Sequence, residues 1–173
     1  MRYWLGGLAV IGVLMIFRNR AAFSMPGMLS LSAAGLDALK KEEGWRDRVY
    51  QDMAGFATIG YGHLLKAGEA WPAAITKAEG EAILKKDISS AEASVRSAVL
   101  VPVTQGMFDA LVSFVFNIGA GQFSKSTMLK KLNAGNYADA ADAMLAWHYA
   151  GGKANTLTAR RNRERDIFMS GIS

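Results

Sequence analysis

The chain has 173 residues, 51% of them hydrophobic, no cysteine, and a formal net charge of +5. That length suits a single domain with a sizeable core, and the missing cysteine excludes disulfides and cysteine-based metal sites. The charge is uneven: Arg2, Arg18 and Arg20 lie in the first 24 residues, and five cationic side chains oppose two acidic ones between Lys153 and Asp166. A basic balance of this kind suits anionic glycans, membranes or nucleic acid.

In chain order, Tyr3 to Phe17 is a run of fifteen residues without a charge. As a helix it would be about 22 Å long at ~1.5 Å per residue, short of the ~30 Å hydrocarbon core of a bilayer. Gly6, Gly7 and Gly12 thin its apolar surface, and the amino terminus with Arg2 is nearly balanced by Arg18 and Arg20 across it. A cleaved signal peptide would use Ala22-Phe23-Ser24 as its small-x-small site, but Arg18 and Arg20 interrupt the approach to it. A permanent anchor would need a longer run, and a buried core helix would tolerate one this short. The favoured reading is an uncleaved signal-anchor over 1–24 that tethers the protein and later lets go. Met25-Pro26-Gly27 then breaks the chain, giving a linker over 25–31 and a folded domain over 32–173.

Ser32 is placed to cap a helix reaching about Glu43, with Gly44 as its stop. Leu36, Leu39 and Glu43 share one face of it, so Glu43 is expected to be partly buried, which would raise its pKa. Residues 48–65 read as a small β-hairpin turning at Met53-Ala54-Gly55-Phe56. Thr76-x-x-Glu79 is a capping box that opens a helix to about Val99. Pro102 and Thr104 precede the most apolar helix, from Gln105 to Asn117, stopped by Gly119 and carrying Phe108, Leu111, Val112, Val115 and Phe116 into the core. Shorter helices are predicted near Thr127 to Asn133 and Tyr137 to Trp147, and a last one from Thr158 to Met169. The fold class is therefore α+β.

Glu43, Asp52 and Thr58 follow one another with the spacing Glu-x8-Asp-x5-Thr. One carboxylate falls at a helix end and the other in the hairpin, two different environments. Glycoside hydrolysis needs that difference: one carboxyl stays protonated to protonate the leaving oxygen, and one stays ionised to activate water or support an oxocarbenium-like centre. Those residue types are common, and the spacing alone would be weak. The run Thr58-Ile59-Gly60-Tyr61-Gly62-His63-Leu64-Leu65 makes it specific, because it resembles the signature of the phage-type lysozymes, the glycoside hydrolase family of the T-even phages. The resemblance continues through Gln105, Ser113-Phe114, Phe116-Asn117-Ile118-Gly119, Ser126-Thr127-Met128-Leu129, Leu132-Asn133-Ala134-Gly135 and Tyr137. It closes on Trp147, Gly151-Gly152 and Arg160-Arg161, so it covers about residues 30 to 170.

The resemblance implies a small β lobe and a larger helical lobe flanking a cleft, with an extra apolar helix at the N-terminus. It implies Glu43 as general acid, Asp52 as the ionised partner, and Thr58 placing water beside Asp52. By motif position Asn117 would face the cleft and Arg160 would approach Glu43, with the basic face of the last helix as the competing reading of Arg160. Asn155-Thr156-Leu157-Thr158 stands where the family has a Gly-Leu pair. His63 would hydrogen-bond near the cleft; His148 is distant in sequence and no acidic cluster adjoins either, so no metal is expected. The implied partner is peptidoglycan, together with the inner membrane through the N-terminal segment. No cofactor, no nucleic acid and a monomer are expected, and the location is the periplasmic side of the host inner membrane, then the periplasm. The N-terminus also resembles the signal-arrest-release segments of phage endolysins, some of which are held inactive by disulfide chemistry that this chain lacks. The alternative is a non-catalytic peptidoglycan-binding or membrane-tethered structural protein on the same fold, against which the intact Glu43, Asp52 and Thr58 set stands. A cationic last helix acting on membranes is a third option, weakened by the lack of a sustained apolar face.

Overall fold

A computed structural model describes residues 22–52, 55–66, 68–69, 71–149 and 155–172. The expected apolar helix at the N-terminus falls on residues 1–21, outside the described residues. Among the described residues, no helix is long and apolar enough to cross a membrane.

Helix α1 (Ala33–Glu43) begins where Ser32 Oγ accepts the Gly35 N–H at 3.0 Å and ends at Gly44, which adopts φ +70°. Ser32 is itself pinned to the helical lobe, its N–H donating to Asp109 Oδ1 at 3.0 Å. The cap thus fixes both the start of α1 and its position, and Glu43 is carried at the other end. Strands β1 (Arg46–Gln51), β2 (Ala57–Gly60) and β3 (His63–Leu64) follow as one antiparallel sheet in that order. The pairs Tyr50↔Thr58 and Thr58↔Leu64 set its register, with an irregularity between Arg46 and Tyr50.

A three-stranded sheet therefore stands where a single hairpin is predicted. β3 has two residues, too few for an alternation to show in sequence, and it exists because Gly60 and Gly62 (φ +68° and +81°) fold the chain back sharply. Residues 53–54 of the expected turn lie outside the described residues.

Helix α2 (Lys77–Ala98) opens on the predicted capping box, with Thr76 and Glu79 satisfying each other's backbone N–H groups. At 22 residues it is about 33 Å long. Its first turns hold the sheet: Gly80 lies against the Trp45 indole so closely that a Cβ there would meet Cζ3 at 2.2 Å. Further along, Leu84, Ile88, Ala91 and Val95 are buried in the helical lobe. One rigid element thus joins the two lobes. Lys40 Nζ donating to Glu81 at 2.7 Å adds a tie between α1 and α2.

The helical lobe is built around α3 (Gln105–Ile118), whose Met107, Phe108, Leu111, Val112 and Phe114 are fully buried. Burying each such side chain is worth roughly 1.5–3 kcal/mol. Helices α4 (Ala120–Phe123), α5 (Thr127–Asn133), α6 (Tyr137–Met144) and α7 (Thr158–Ser170) complete it. The four residues of α4 are absent from the sequence reading, being shorter than any helical period can reveal; they start on Gly119, at φ +82°. Ahead of α1, residues 24–31 lie along the lobe: Ser24 and Val103 exchange two backbone hydrogen bonds at 2.8 Å, Pro26 is buried, and Arg96 Nε donates to the Leu29 carbonyl.

Candidate active site

Glu43 is the last residue of α1, and its side chain is 17% exposed. Two neighbours fix its carboxylate. Arg160 Nη1 donates to Oε1 at 2.7 Å. On the other side, Gly62 approaches Oε2 so closely that a Cβ there would stand 3.1 Å away. A side chain at that position would crowd Oε2 and strain the backbone, whose φ is +81°.

Asp52 follows β1 directly. Its backbone N–H donates to the Phe56 carbonyl at 2.9 Å, and its Oδ1 accepts the Phe56 N–H at 2.9 Å, which orients the carboxylate. Thr58 lies on β2, 3% exposed, with its hydroxyl donating to the Phe56 carbonyl at 3.0 Å. That commits the Thr58 proton and leaves the oxygen lone pairs as acceptors. Tyr50 stands opposite Thr58 and two residues before Asp52, so the alternation of a strand puts the three on one face. Burial, then the Glu43 carboxylate, and more weakly that of Asp52, push the Tyr50 phenol above its usual value. Tyr50 thus feels the charge of both carboxylates, and it is missing from the sequence reading. Its period-two relation to Asp52 was the signal available.

Behind Glu43 lies a buried charge network on α7. Arg160 also donates through Nε to Glu164 at 3.0 Å and through Nη2 to the Ser113 carbonyl at 3.2 Å. Arg161 is fully buried: it bonds Glu164 and Asn117, donates to the Trp147 carbonyl at 3.0 Å, and stacks 4.9 Å from the Phe114 ring centroid. Ser113 Oγ donates to Glu164 at 2.7 Å. Burial works against the charge of Arg160, but Glu43 and Glu164 outweigh it and hold the guanidinium above its usual value. Burial lowers Arg161 and raises Glu164. The basic face expected of the last helix is therefore partly inverted, with two of its arginines turned inward. Glu164 went unnoticed in sequence, although it lies four residues after Arg160 and three after Arg161, which is one helix face.

Asn117 is exposed at the end of α3, and its Oδ1 accepts from Arg161. The substituted loop before α7 is closed by Asn155, which takes φ +63°, the left-handed conformation a glycine would supply and one that asparagine tolerates. His63 sits on β3 with Nδ1 2.7 Å from Asp87 on α2, and Nε2 3.9 Å from Glu69. Two carboxylates thus adjoin it in space, contrary to what its sequence neighbours suggest, because Asp87 is 24 residues away. Among the described residues, no group of three or more His, Cys, Asp and Glu side chains is arranged to hold a metal ion.

A carboxylic side chain poised between an arginine and a glycine turn, with a second carboxylate on an adjoining sheet face between two lobes, defines a lysozyme-like glycoside hydrolase. The comparisons agree. The Phage lysozyme family profile matches residues 40–164. The endolysin of Salmonella phage P22 is 42% identical over 146 residues, covering 83% of this chain and 100% of that one. A SAR-endolysin of bacteriophage PS119 is 37% identical over 154 residues, covering 87% and 88%. A crystal structure of a mutant P22 lysozyme superimposes with a TM-score of 0.73 at 41% identity, over 82% of this chain and 99% of that one. The chain belongs to the phage lysozyme family.

Proposed function

We propose that this phage-type lysozyme acts as an endolysin. It would hydrolyse the β-1,4 bond between N-acetylmuramic acid and N-acetylglucosamine in peptidoglycan, with Glu43 as general acid. The observation that carries the assignment is the asymmetric hold on the Glu43 carboxyl. Oε1 accepts from the permanently charged Arg160, so the transferable proton belongs on Oε2, the oxygen beside Gly62. Asp52, oriented by the Phe56 N–H, supplies the ionised group, and Thr58 accepts a hydrogen bond from the water that Asp52 engages. Arg160 orients Glu43, Asn117 steadies Arg161 at the edge of the substrate cleft, and His63 ties β3 to α2. No cofactor enters this scheme.

Residues 1–24 act in this reading as a signal-arrest-release segment, which the similarity to SAR-endolysins supports. The protein would wait, inactive and monomeric, on the periplasmic side of the inner membrane and reach the wall once released. Reducing-end analysis of digested peptidoglycan tests the bond: new muramic acid ends support the reading, and new glucosamine ends refute it. Fractionation with N-terminal sequencing, before and after collapse of the membrane potential, tests the tether. An intact N-terminus that moves to the soluble fraction supports it, whereas a mature chain beginning near Met25 means a cleaved signal peptide.

A further inference from the structure

Nine large apolar side chains are exposed among the described residues, and five of them gather at one end of the helical lobe. Phe23 and Met25 flank Ser24, which is bridged to Val103. Met28 follows in the same pinned segment, and Leu100 stands just before Val103 in the chain. Ile172 joins them, because Gly171 lies so close to Thr104 that a Cβ there would meet Oγ1 at 2.2 Å. Met28 and Leu100 are 85% and 70% exposed, too open for packing within the domain to account for them. A cluster of this kind marks a surface that something apolar covers.

The chain itself says what comes near this face. Ser24 is held to Val103 by two backbone hydrogen bonds at 2.8 Å, and Pro26 is buried, so the segment after Ser24 gives no slack. Only residues 18–23 separate Ser24 from the apolar run Tyr3 to Phe17. That span reaches at most about 25 Å when fully extended. Helix α2 alone, with its 22 residues, is about 33 Å long, and the sheet packs on its first turns while this face adjoins its last. With the run in a bilayer, the end of the lobe that carries Met28 and Leu100 is therefore the end the leash brings to the lipid. Arg18 and Arg20 in the leash add cations, which suit a headgroup layer.

We propose that this apolar end of the helical lobe is a lipid-docking face, with Met28 and Leu100 seated in the interfacial layer while the chain is tethered; this rests on the tether reading of residues 1–24. The chain has no cysteine, so Leu100→Cys and Val49→Cys each take a single environment-sensitive label, Val49 lying on β1 in the other lobe. The full-length protein is inserted in vesicles of phosphatidylethanolamine and phosphatidylglycerol that carry a quencher at headgroup depth. The label at position 100 should shift to the blue and be quenched, and the label at position 49 should do neither. The quenching should persist in high salt, because an apolar contact is not screened. On collapse of the membrane potential, Met28→Ser/Leu100→Ser should leave the vesicles about tenfold faster than wild type, a factor that ~55 Å² of apolar surface held in lipid supplies. The same variant should cut walls in solution at the wild-type rate. Vesicle-bound protein whose label at position 100 stays unquenched or loses its quenching in salt, or a serine variant released at the wild-type rate, overturns the docking face and leaves the tether standing. Dimerisation that the serine variant abolishes, without quenching by lipid, also overturns it and gives the face to a second copy. A wild type that never joins the vesicles overturns both readings.

Discussion

Arg160→Lys is the substitution that best separates charge from geometry at this site. Arg160 uses three different nitrogens on three partners: Nη1 on Glu43, Nε on Glu164, and Nη2 on the Ser113 carbonyl. Lysine keeps the positive charge but concentrates it on one nitrogen, which cannot serve three acceptors spread around a planar fork. Hydrogen bonds to charged groups are worth about 1.5–3 kcal/mol, and breaking a buried ion pair costs about 3–5 kcal/mol when one charge is left alone. With charge retained and two of three oriented bonds lost, a cost of about 3 kcal/mol is expected. For a chain of this size that is a fall in Tm of about 6–12 °C. Glu43, the most accessible of the partners, should lose its fixed orientation. We expect kcat on purified cell walls to fall about tenfold or more, ~1.4 kcal/mol in barrier, with KM little changed. Thermal melts and initial rates of wall clearing measure both quantities on one preparation. Arg165→Lys, at a solvent-exposed pair with Asp142, is the control and should change Tm by under about 2 °C. An Arg160→Lys protein that melts like wild type and clears walls at the wild-type rate would refute the claim that the fork positions Glu43.

Gly62→Ala should fold with a loss of about 1–2 kcal/mol, from its φ of +81°, and lose most activity because the new methyl presses on Glu43 Oε2; full activity would show that the contact is slack. Asp52→Asn should be more damaging than Thr58→Ala, since one removes charge and the other only a water acceptor. Rates on peptidoglycan in which Thr58→Ala were tenfold the worse would reverse those roles. Arg163 Nη2 donates to Glu42 at 2.8 Å and holds that carboxyl below its usual value. A depressed carboxyl stabilises the fold above its unfolded pKa of about 4.5, and that contribution is lost as pH falls through the folded value. Arg163→Met should therefore cost about 0.5–1 kcal/mol near neutrality, where Arg163 is half exposed, and progressively less below about pH 4.5. A gap in denaturant midpoints that widens in acid would contradict this.

What the sequence revealed was local. Ser32, Thr76 with Glu79, and Gly119 act within one turn of the chain, and each sits where its local pattern requires. The α3 core is legible because a helix period gathers its apolar residues over four turns. Glu43, Asp52 and Thr58 could be picked out from chemistry and motif together. The missing parts depend on partners far along the chain. Glu43 and Arg160 are 117 residues apart, and it is the Glu164 carboxylate that makes two adjacent arginines tolerable in the interior. The Asp87 partner of His63 arises only when the sheet and α2 are docked. β3 and α4 are too short to carry a period, so their existence rests on glycine turns and tertiary packing.

The central claim is that the Glu43 carboxyl delivers the proton that breaks the glycosidic bond. Its most direct test is the rate of reducing-end release from purified peptidoglycan by Glu43→Gln, alongside its melting curve. The glutamine keeps the shape and can still accept from Arg160 Nη1, but it has no acid proton to give. The account predicts a folded protein slower by about 10²–10⁴-fold, the usual worth of general acid catalysis. A folded Glu43→Gln protein that releases reducing ends at a rate near wild type would contradict it.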